Sequence, residues 1–382
     1  MLTHEEYTLL LTDDVRTAIR NNRGRDPLAV ALDRTIEHAR LVATQLKYLA
    51  RAESKLPSYV EAGCILPPRA FEQCSSERAA AHKPIEGRRV LDLTCGLGVD
   101  AHALAARFEE VITLERNEVL AEVARENFRR LGITNVTVLT TDAESYVASC
   151  TEHFDWIYAD PDRRSAEGRK LVCLEDCSPD VLQLMPRLKA LAPRLCLKNS
   201  PLFDVDEARR LFPECAVEVV SLGGECKEVL ILVGEDITPR LTATALDVGS
   251  YSVTEPFEPT PPSGFNHEAY RYLAQCDVAL QKARLVRRHL HGKADCWSEN
   301  GYGFATEQPE GIVGRIYAID HIEPYDPKRL KRSLKGVKAE LLKRDFPLAI
   351  EELRKRLGVE AGNERRVAFT KIGAAYWTIW LK

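Results

Sequence analysis

The 382-residue sequence predicts an α/β fold with a doubly wound, mostly parallel sheet. Three observations carry this. Short apolar strands alternate with helical stretches between Arg88 and Arg164. A glycine turn, Gly96-Leu97-Gly98, follows the first strand. Acidic residues recur where successive strands end. In an open sheet of this kind the carboxyl ends of the strands border one crevice, and ligands bind there.

Ahead of the sheet, residues 1–86 read as an N-terminal helical region. Leu9, Leu10, Val15 and Ile19 mark one helix, and Val30, Ala31, Ile36, Val42 and Leu49 suggest another at helical spacing. Pro57 and Pro67-Pro68 punctuate the chain beyond these helices. Ser75 or Ser76 is placed to cap a short helix that begins near Glu77.

The first strand, Arg88 to Leu93, runs into Thr94-Cys95-Gly96-Leu97-Gly98-Val99-Asp100. The glycines let the backbone turn tightly and approach a ligand. The second strand, Val111 to Leu114, ends on Glu115, which can accept two hydrogen bonds from a ribose diol. The third, Val136 to Leu139, leads to Asp142, a partner for an adenine amino group. The fourth, Asp155 to Ala159, ends on Asp160-Pro161-Asp162-Arg163-Arg164. The fifth, Leu195 to Leu197, ends at Lys198, a charge expected to face the crevice. Phe203 to Phe212 reads as a helix. Val217 to Leu222, Gly223-Gly224 and Val229 to Val233 then read as a hairpin that closes the sheet antiparallel.

Two departures narrow the ligand. Asp92 stands beside the glycine turn, where a carboxylate repels a pyrophosphate and suits a cation. Ala101 takes the place of the third glycine of a dinucleotide fingerprint. The ligand expected is one with adenosine and a positive charge.

The stretch from about residue 88 to 235 resembles a class I S-adenosylmethionine (SAM)-dependent methyltransferase. Asp92-x-Thr94-x-Gly96-x-Gly98 is similar to that family's D-x-G-x-G-x-G turn, with Thr94 for the first glycine. The resemblance implies a Rossmann-like methyltransferase domain over 87–236 and a segment before the first strand that folds over the cofactor. It implies SAM, with S-adenosylhomocysteine as product, held by Asp92, Thr94, Cys95, Gly96, Gly98, Glu115, Arg116, Asp142 and Ala143. It places Asp160, Pro161 and Lys198 at the catalytic end, with Arg163 and Arg164 towards the substrate. Asp160-Pro161 resembles the start of the [DNS]-P-P-[YFW] motif of amino-group methyltransferases, but Asp162 and Arg163 replace the proline and the stacking aromatic. Asp-Pro-x-Arg also resembles RNA pyrimidine-C5 methyltransferases. Those need a cysteine two residues ahead of a proline, where Asn199 stands before Pro201; Cys196 lies within the strand. A covalent cysteine mechanism is therefore disfavoured.

Residues 237–264 read as a linker, with four prolines between Glu255 and Gly264. Beyond it, Val278 to Leu290 reads as a helix, Gly314 to Ile322 as a strand, and Leu330 to Leu342 and Leu348 to Leu357 as helices. Arg366 to Lys371 and Ala375 to Leu381 read as closing strands. This α+β module resembles the THUMP-like domain (324–382), preceded by a ferredoxin-like piece (265–323), of a group of bacterial methyltransferases. Leu342-Lys343-Arg344-Asp345-Phe346-Pro347, the Glu72–Glu77 stretch and Lys198-Asn199-Ser200-Pro201 carry that resemblance. The sequence departs from the group at Ala274-Gln275-Cys276-Asp277, where an acid-proline pair is usual. THUMP modules bind RNA, so the resemblance implies an RNA partner. Charge agrees: between Asp326 and Arg356 eleven Lys/Arg stand against five Asp/Glu. Lys328, Arg329, Lys331 and Arg332, with Lys335 and Lys338 nearby, form a stripe suited to phosphates. The competing reading is a solvated helix face. Tyr302, Tyr317 and Tyr325 are base-stacking candidates or core.

Composition bounds these readings. The length fits two or three domains. A net charge of −4 implies no general attraction to polyanions, so local patches must carry any RNA binding. The 11 scattered cysteines fit reduced thiols in a cytoplasm, and Cys173 and Cys177 lack zinc-site spacing, so no metal is expected. No apolar run reaches the ~18 residues that would span a bilayer, and Glu5, Glu6, Asp13 and Asp14 argue against a signal peptide. The reading is a cytoplasmic SAM-dependent methyltransferase acting on a base nitrogen of ribosomal or transfer RNA. Two alternatives stay open: a protein or small-molecule methyltransferase, and a SAM-binding, RNA-associated protein without catalysis.

Overall fold

Runs of apolar residues too short for helices become buried parallel strands here. The computed structural model describes residues 2–163, 174–255 and 257–382. It divides into two units, Met1–Asp204 with Leu211–Cys215 and Leu230–Ile237, and Val205–Arg210 with Ala216–Val229 and Thr238–Lys382.

In the first unit, β1 (Gly87–Asp92), β2 (Phe108–Glu115), β3 (Val136–Thr140), β4 (Trp156–Ala159) and β5 (Arg194–Asn199) stand in the order β3-β2-β1-β4-β5. All four pairings are parallel. Every residue of β4 is buried, the pattern of a strand covered on both faces. The strand Glu225–Gly234 follows β5 in the sheet order. From β1 the chain passes to β2 and β3 on one side, then returns to β4 on the other. That reversal opens the crevice at the carboxyl ends of β1 and β4.

The N-terminal helices do not form a core of their own. Val42, Leu46, Leu49, Leu56, Tyr59, Leu66 and Phe71 share one cluster with Leu97, Val99 and Val123. Asn127, fully buried on the helix Glu118–Leu131, accepts from the Ile65 N–H at 2.8 Å and donates to its carbonyl at 2.9 Å. The expected boundary at residue 86 therefore falls inside one packed unit.

In the second unit the strand Ala216–Leu222 turns at Gly223 and Gly224 into the strand that begins at Glu225, as the sequence predicts. Both glycines have positive φ, 62° and 80°, which a two-residue hairpin loop requires. The span 237–264, expected as a linker, carries two strands. Arg240–Ala245 pairs parallel with Ala216–Ser221 and antiparallel with Gly249–Val253. Leu241, Ala243 and Ala245 are buried at every second position, the period of a strand, with Thr244 buried as well, and the prolines punctuate only the residues beyond.

The remaining chain forms one seven-stranded sheet rather than two separate pieces. Its order is Gly303–Ala305, Tyr272–Cys276, Gly314–Pro324, Ala375–Leu381, Arg365–Ile372, Lys338–Lys343, Glu360–Ala361. Two expected helices differ. Val278 to Leu290 is two short helices, Val278–Lys282 and Val286–Leu290, broken where Arg284 adopts φ 55°. Leu330 to Leu342 is a helix, Pro327–Leu334, then the strand Lys338–Lys343. Gly336 at φ 77° makes the turn, and Ala339 and Leu341 bury on alternate positions. Tyr302 and Tyr317 belong to one core, and Tyr325 packs beside Phe346 and Phe369 in another, so packing engages all three rings named as stacking candidates. Among the described residues no helix is long and apolar enough to cross a membrane.

Candidate active site

A cavity of about 710 Å³ opens at the carboxyl ends of β1 to β4. Its floor is the turn from Leu93 to Leu97. Its sides are Glu115 to Asn117, Thr141 to Glu144, and Asp160 with Asp162. Its roof comes from the N-terminal region, Pro67 to Ala70 and Gln73 to Ser75. The segment before β1 thus covers the crevice.

Asp92 holds the floor in shape. It is 0% exposed. Its Oδ1 accepts from the Thr94 N–H at 2.9 Å and the Thr94 hydroxyl at 3.2 Å, and its Oδ2 accepts from the Thr113 hydroxyl at 2.7 Å. Burial pushes its carboxyl up to about 7, against those three hydrogen bonds. The structure places Asp92 beneath the turn and not on the cavity surface, where the sequence reading had it facing a cationic ligand. The Cys95 N–H is spent on the Leu114 carbonyl at 2.9 Å.

The two glycines do different work. Gly96 has φ 56° and no atom within 4 Å of where a Cβ would stand, so its backbone lies open to the cavity. Gly98 has φ 84°, and a Cβ there would meet the Phe128 ring at 2.6 Å. It serves close packing at the start of the helix Val99–Ala105 and does not line the cavity.

Glu115 closes β2. Its Oε2 accepts from the Gly96 N–H at 3.0 Å and its Oε1 from the Asn117 N–H at 2.8 Å. Burial raises its carboxyl above the ordinary value despite those bonds. Each oxygen keeps a lone pair for a diol. Asp142 caps the helix Ala143–Ser149 by accepting from the Ser145 N–H at 2.7 Å and hydroxyl at 2.8 Å, which hold its carboxyl below the ordinary value. Arg116, Asp142 and Ala143 all line the cavity. The open backbone at Gly96, the carboxylate at Glu115 and the helix start at Ala143 fit an adenosine.

The end of β4 carries a charge cluster. Asp160, its side chain 34% exposed, accepts through Oδ2 from the Lys198 ammonium at 2.5 Å. Lys198 also donates to Asp100 Oδ2 at 2.9 Å and to Ser75 Oγ at 2.8 Å. Lys83, 1% exposed, stands 3.3 Å from Asp100 Oδ1. Burial raises the Asp160 carboxyl, with Lys198 opposing and Asp100 adding to the rise. At Asp100 burial also acts upward, but the two lysines outweigh it and hold the carboxyl well below the usual range. Lys198, expected to face the crevice, is 8% exposed and lies behind the cavity wall.

Sequence reasoning missed Asp100 and Lys83, and saw Ser75 as a candidate cap within a segment expected to fold over the cofactor, without its contact to Lys198. The cap is Ser76, whose Oγ accepts from the Ala79 N–H at 3.2 Å. The one sequence signal was Asp100 itself, an acid in the first turn of a helix whose other residues, His102 apart, are apolar. Pro161 is buried beside Asp160. Arg163 pairs its backbone with Cys177, and Arg164 and Cys173 lie outside the described residues.

In the second unit, Lys328, Arg329, Lys331 and Arg332 lie exposed on the helix Pro327–Leu334, which buries Leu330 and Leu334. Asp326 caps it by accepting from the Lys328 and Arg329 N–H groups at 2.9 and 3.2 Å. Lys335 ends the helix and Lys338 opens the following strand, both exposed.

Residues 85–200 match the family model described as a methyltransferase domain, and 314–382 match one described as THUMP domain-like. An uncharacterized S-adenosylmethionine-dependent methyltransferase of Mycobacterium tuberculosis is 26% identical over 316 residues, covering 80% of this chain and 84% of that protein. Ribosomal RNA small subunit methyltransferase J of Coxiella burnetii is 32% identical over 139 residues, 32% of this chain and 54% of that protein. A crystal structure from Porphyromonas gingivalis W83, provisionally designated a methyltransferase, aligns over 100% of this chain and 99% of its own with 25% identity and a TM-score of 0.82.

Proposed function

From a chain that joins a SAM-dependent methyltransferase domain to a THUMP-like domain, we propose an enzyme that methylates a base nitrogen of RNA. The observation that carries this reading is Asp160. Its carboxylate borders the cofactor cavity at the end of β4, and among the described residues no donor holds its Oδ1.

When bound, SAM supplies a methyl group on a sulfonium, and the C–S bond breaks with its electron pair left on sulfur. Gly96, Glu115, Asp142 and Ala143 are the residues that would hold its adenosine part. An exocyclic base amine is a poor nucleophile because its lone pair is delocalised into the ring. Asp160 Oδ1 and the Pro161 carbonyl can each accept an amine N–H, which favours a tetrahedral nitrogen and orients its lone pair. Asp162 lines the same cavity where the second proline of the amino-group methyltransferase motif is usual, and Arg163 takes the place of its aromatic, so base stacking is left to other residues.

RNA as the acceptor is supported by the THUMP-like match, by the exposed cations of Pro327–Leu334 and by the ribosomal RNA methyltransferase relatives. The test is transfer of labelled methyl from SAM to total RNA of a strain lacking this protein. Asp160→Ala should abolish transfer and keep S-adenosylhomocysteine binding. Wild-type protein that labels a protein or small-molecule fraction and not RNA would replace this acceptor.

A further inference from the structure

We propose that Asp100 is a positioning residue for methyl transfer, acting through Lys198 to hold Asp160 with one oxygen left to the acceptor. This rests on the reading of Asp160 as the acid on the acceptor side.

The argument begins with the protons of Lys198. An ammonium has three N–H donors and no acceptor. Three oxygens meet them: Ser75 Oγ at 2.8 Å, Asp100 Oδ2 at 2.9 Å and Asp160 Oδ2 at 2.5 Å. No proton of Lys198 is left for a substrate carbonyl or phosphate. Its work is internal, and what it fixes is which Asp160 oxygen faces the cavity.

Lys198 is itself fixed by Asp100. The second Asp100 oxygen lies 3.3 Å from Lys83, whose side chain is fully buried. Lys83, Asp100, Lys198 and Asp160 therefore alternate in sign and sum to zero. A buried charge without a partner is costly, so the members hold one another in place. Ser75 donates to Asp100 Oδ2 at 3.2 Å and accepts from Lys198. It belongs to the segment that roofs the cofactor cavity, so the roof and the acid meet at one ammonium.

This saturation restricts the chemistry of the acceptor. With Lys198 fully engaged, the polar group offered at Asp160 is an acceptor. The reacting group must therefore bring an N–H or O–H, as an amine does. A bare ring nitrogen with only a lone pair gains nothing from it.

Two measurements on the full chain decide the matter. The first is the crystal structure of the S-adenosylhomocysteine complex of wild-type and Asp100→Asn protein. Removing the Asp100 charge leaves Lys198 held by Asp160 and takes away its anchor at Asp100, so the ammonium should move away from residue 100 past the ~3.2 Å hydrogen-bond limit and the Asp160 carboxylate should turn with it. Lys198 and the Asp160 carboxylate both unmoved in Asp100→Asn overturns the proposal whatever the acceptor proves to be. The second is methyl transfer to RNA from a strain lacking the protein. Asp100→Asn should lower kcat by about 10- to 100-fold, the effect of a misplaced group, with KM for SAM within about two-fold. Asp100→Glu should recover part of the loss. Wild-type transfer with Asp100→Asn equally active, or with KM for SAM rising as kcat falls, also overturns it. Wild-type protein inactive on RNA removes the RNA reading alone, and the crystal structures then decide the role of Asp100.

Discussion

The Asp160 N–H donates to Thr94 Oγ1 at 2.8 Å, across 66 positions of sequence. Thr94 stands where related turns carry glycine, and its hydroxyl also donates to Asp92 Oδ1 at 3.2 Å. One side chain therefore joins the cofactor turn to the acid at the end of β4. A glycine there could make neither bond.

Thr94→Val should separate these two roles. It keeps the shape, removes the hydroxyl, and leaves the partly buried Asp160 N–H without its acceptor. The cost should be about 1–3 kcal/mol of stability. Transfer should fall more than S-adenosylhomocysteine affinity, because the freed peptide carries Asp160. Thr94→Ser should restore both. Calorimetry beside a methyl-transfer assay reads the difference, and equal losses in the two would make Thr94 a part of the cofactor site only.

Glu115→Ala should weaken S-adenosylhomocysteine by about 1–3 kcal/mol, the scale of a hydrogen bond to a charged group. It also strips an acceptor from the Gly96 and Asn117 N–H groups. Glu115→Gln keeps one acceptor oxygen and should lose less. Unchanged affinity in the alanine variant, measured by titration calorimetry, would remove the ribose assignment.

Asp92 should leave a mark on stability against pH. Its carboxyl is near 3.9 in an unfolded chain and is raised to about 7 in the fold. The native state then binds the extra proton between these values. The contribution is complete below about pH 4 and is lost as pH rises through 7, at about 1.4 kcal/mol per pH unit. Asp92→Asn, which can still accept from the Thr94 N–H, should remove that slope. The difference between wild-type and variant unfolding free energies should change between about pH 4 and 7 and level off above. A flat difference across the range would mean that Asp92 ionises normally.

Much of this fold is legible in the sequence because the strands of the first unit are covered on both faces. Val111, Ile112, Leu114 and Trp156 to Ala159 are then apolar or aromatic, with Thr113 spending its hydroxyl on Asp92, and the acids stand out at the strand ends. The Gly223-Gly224 hairpin is legible for a similar reason, since a two-residue loop needs positive φ. What failed was context. Leu330, Leu334, Leu341 and Leu342 keep helical spacing across a helix and a strand, and one glycine at 336 makes the break. Lys83 sits between His82 and Pro84 with nothing to mark its burial, and Asp100 became visible only when the fold brought Lys198 to it. The N-terminal helices read as a separate region because the partners of their apolar face, Leu97, Val99 and Val123, lie beyond the first strand.

The cations of the helix Pro327–Leu334 give the last prediction. Lys328, Arg329, Lys331 and Arg332 project outward while Leu330 and Leu334 hold the helix to its core. Replacing the four by Gln keeps helix propensity and the Asp326 cap, so the domain should stay folded. If they meet phosphates, wild-type affinity for RNA should fall steeply with salt, because each neutralised phosphate releases counterions. Each cation removed should then shallow the log–log slope by about 0.7–0.9. Arg329 should contribute least, since it is already paired with Glu323 at 3.1 Å. Filter binding across a salt series, on total RNA and on a defined transcript, measures the slope directly. A quadruple variant with the wild-type slope would make this helix a solvated face and move the RNA contacts elsewhere on the chain.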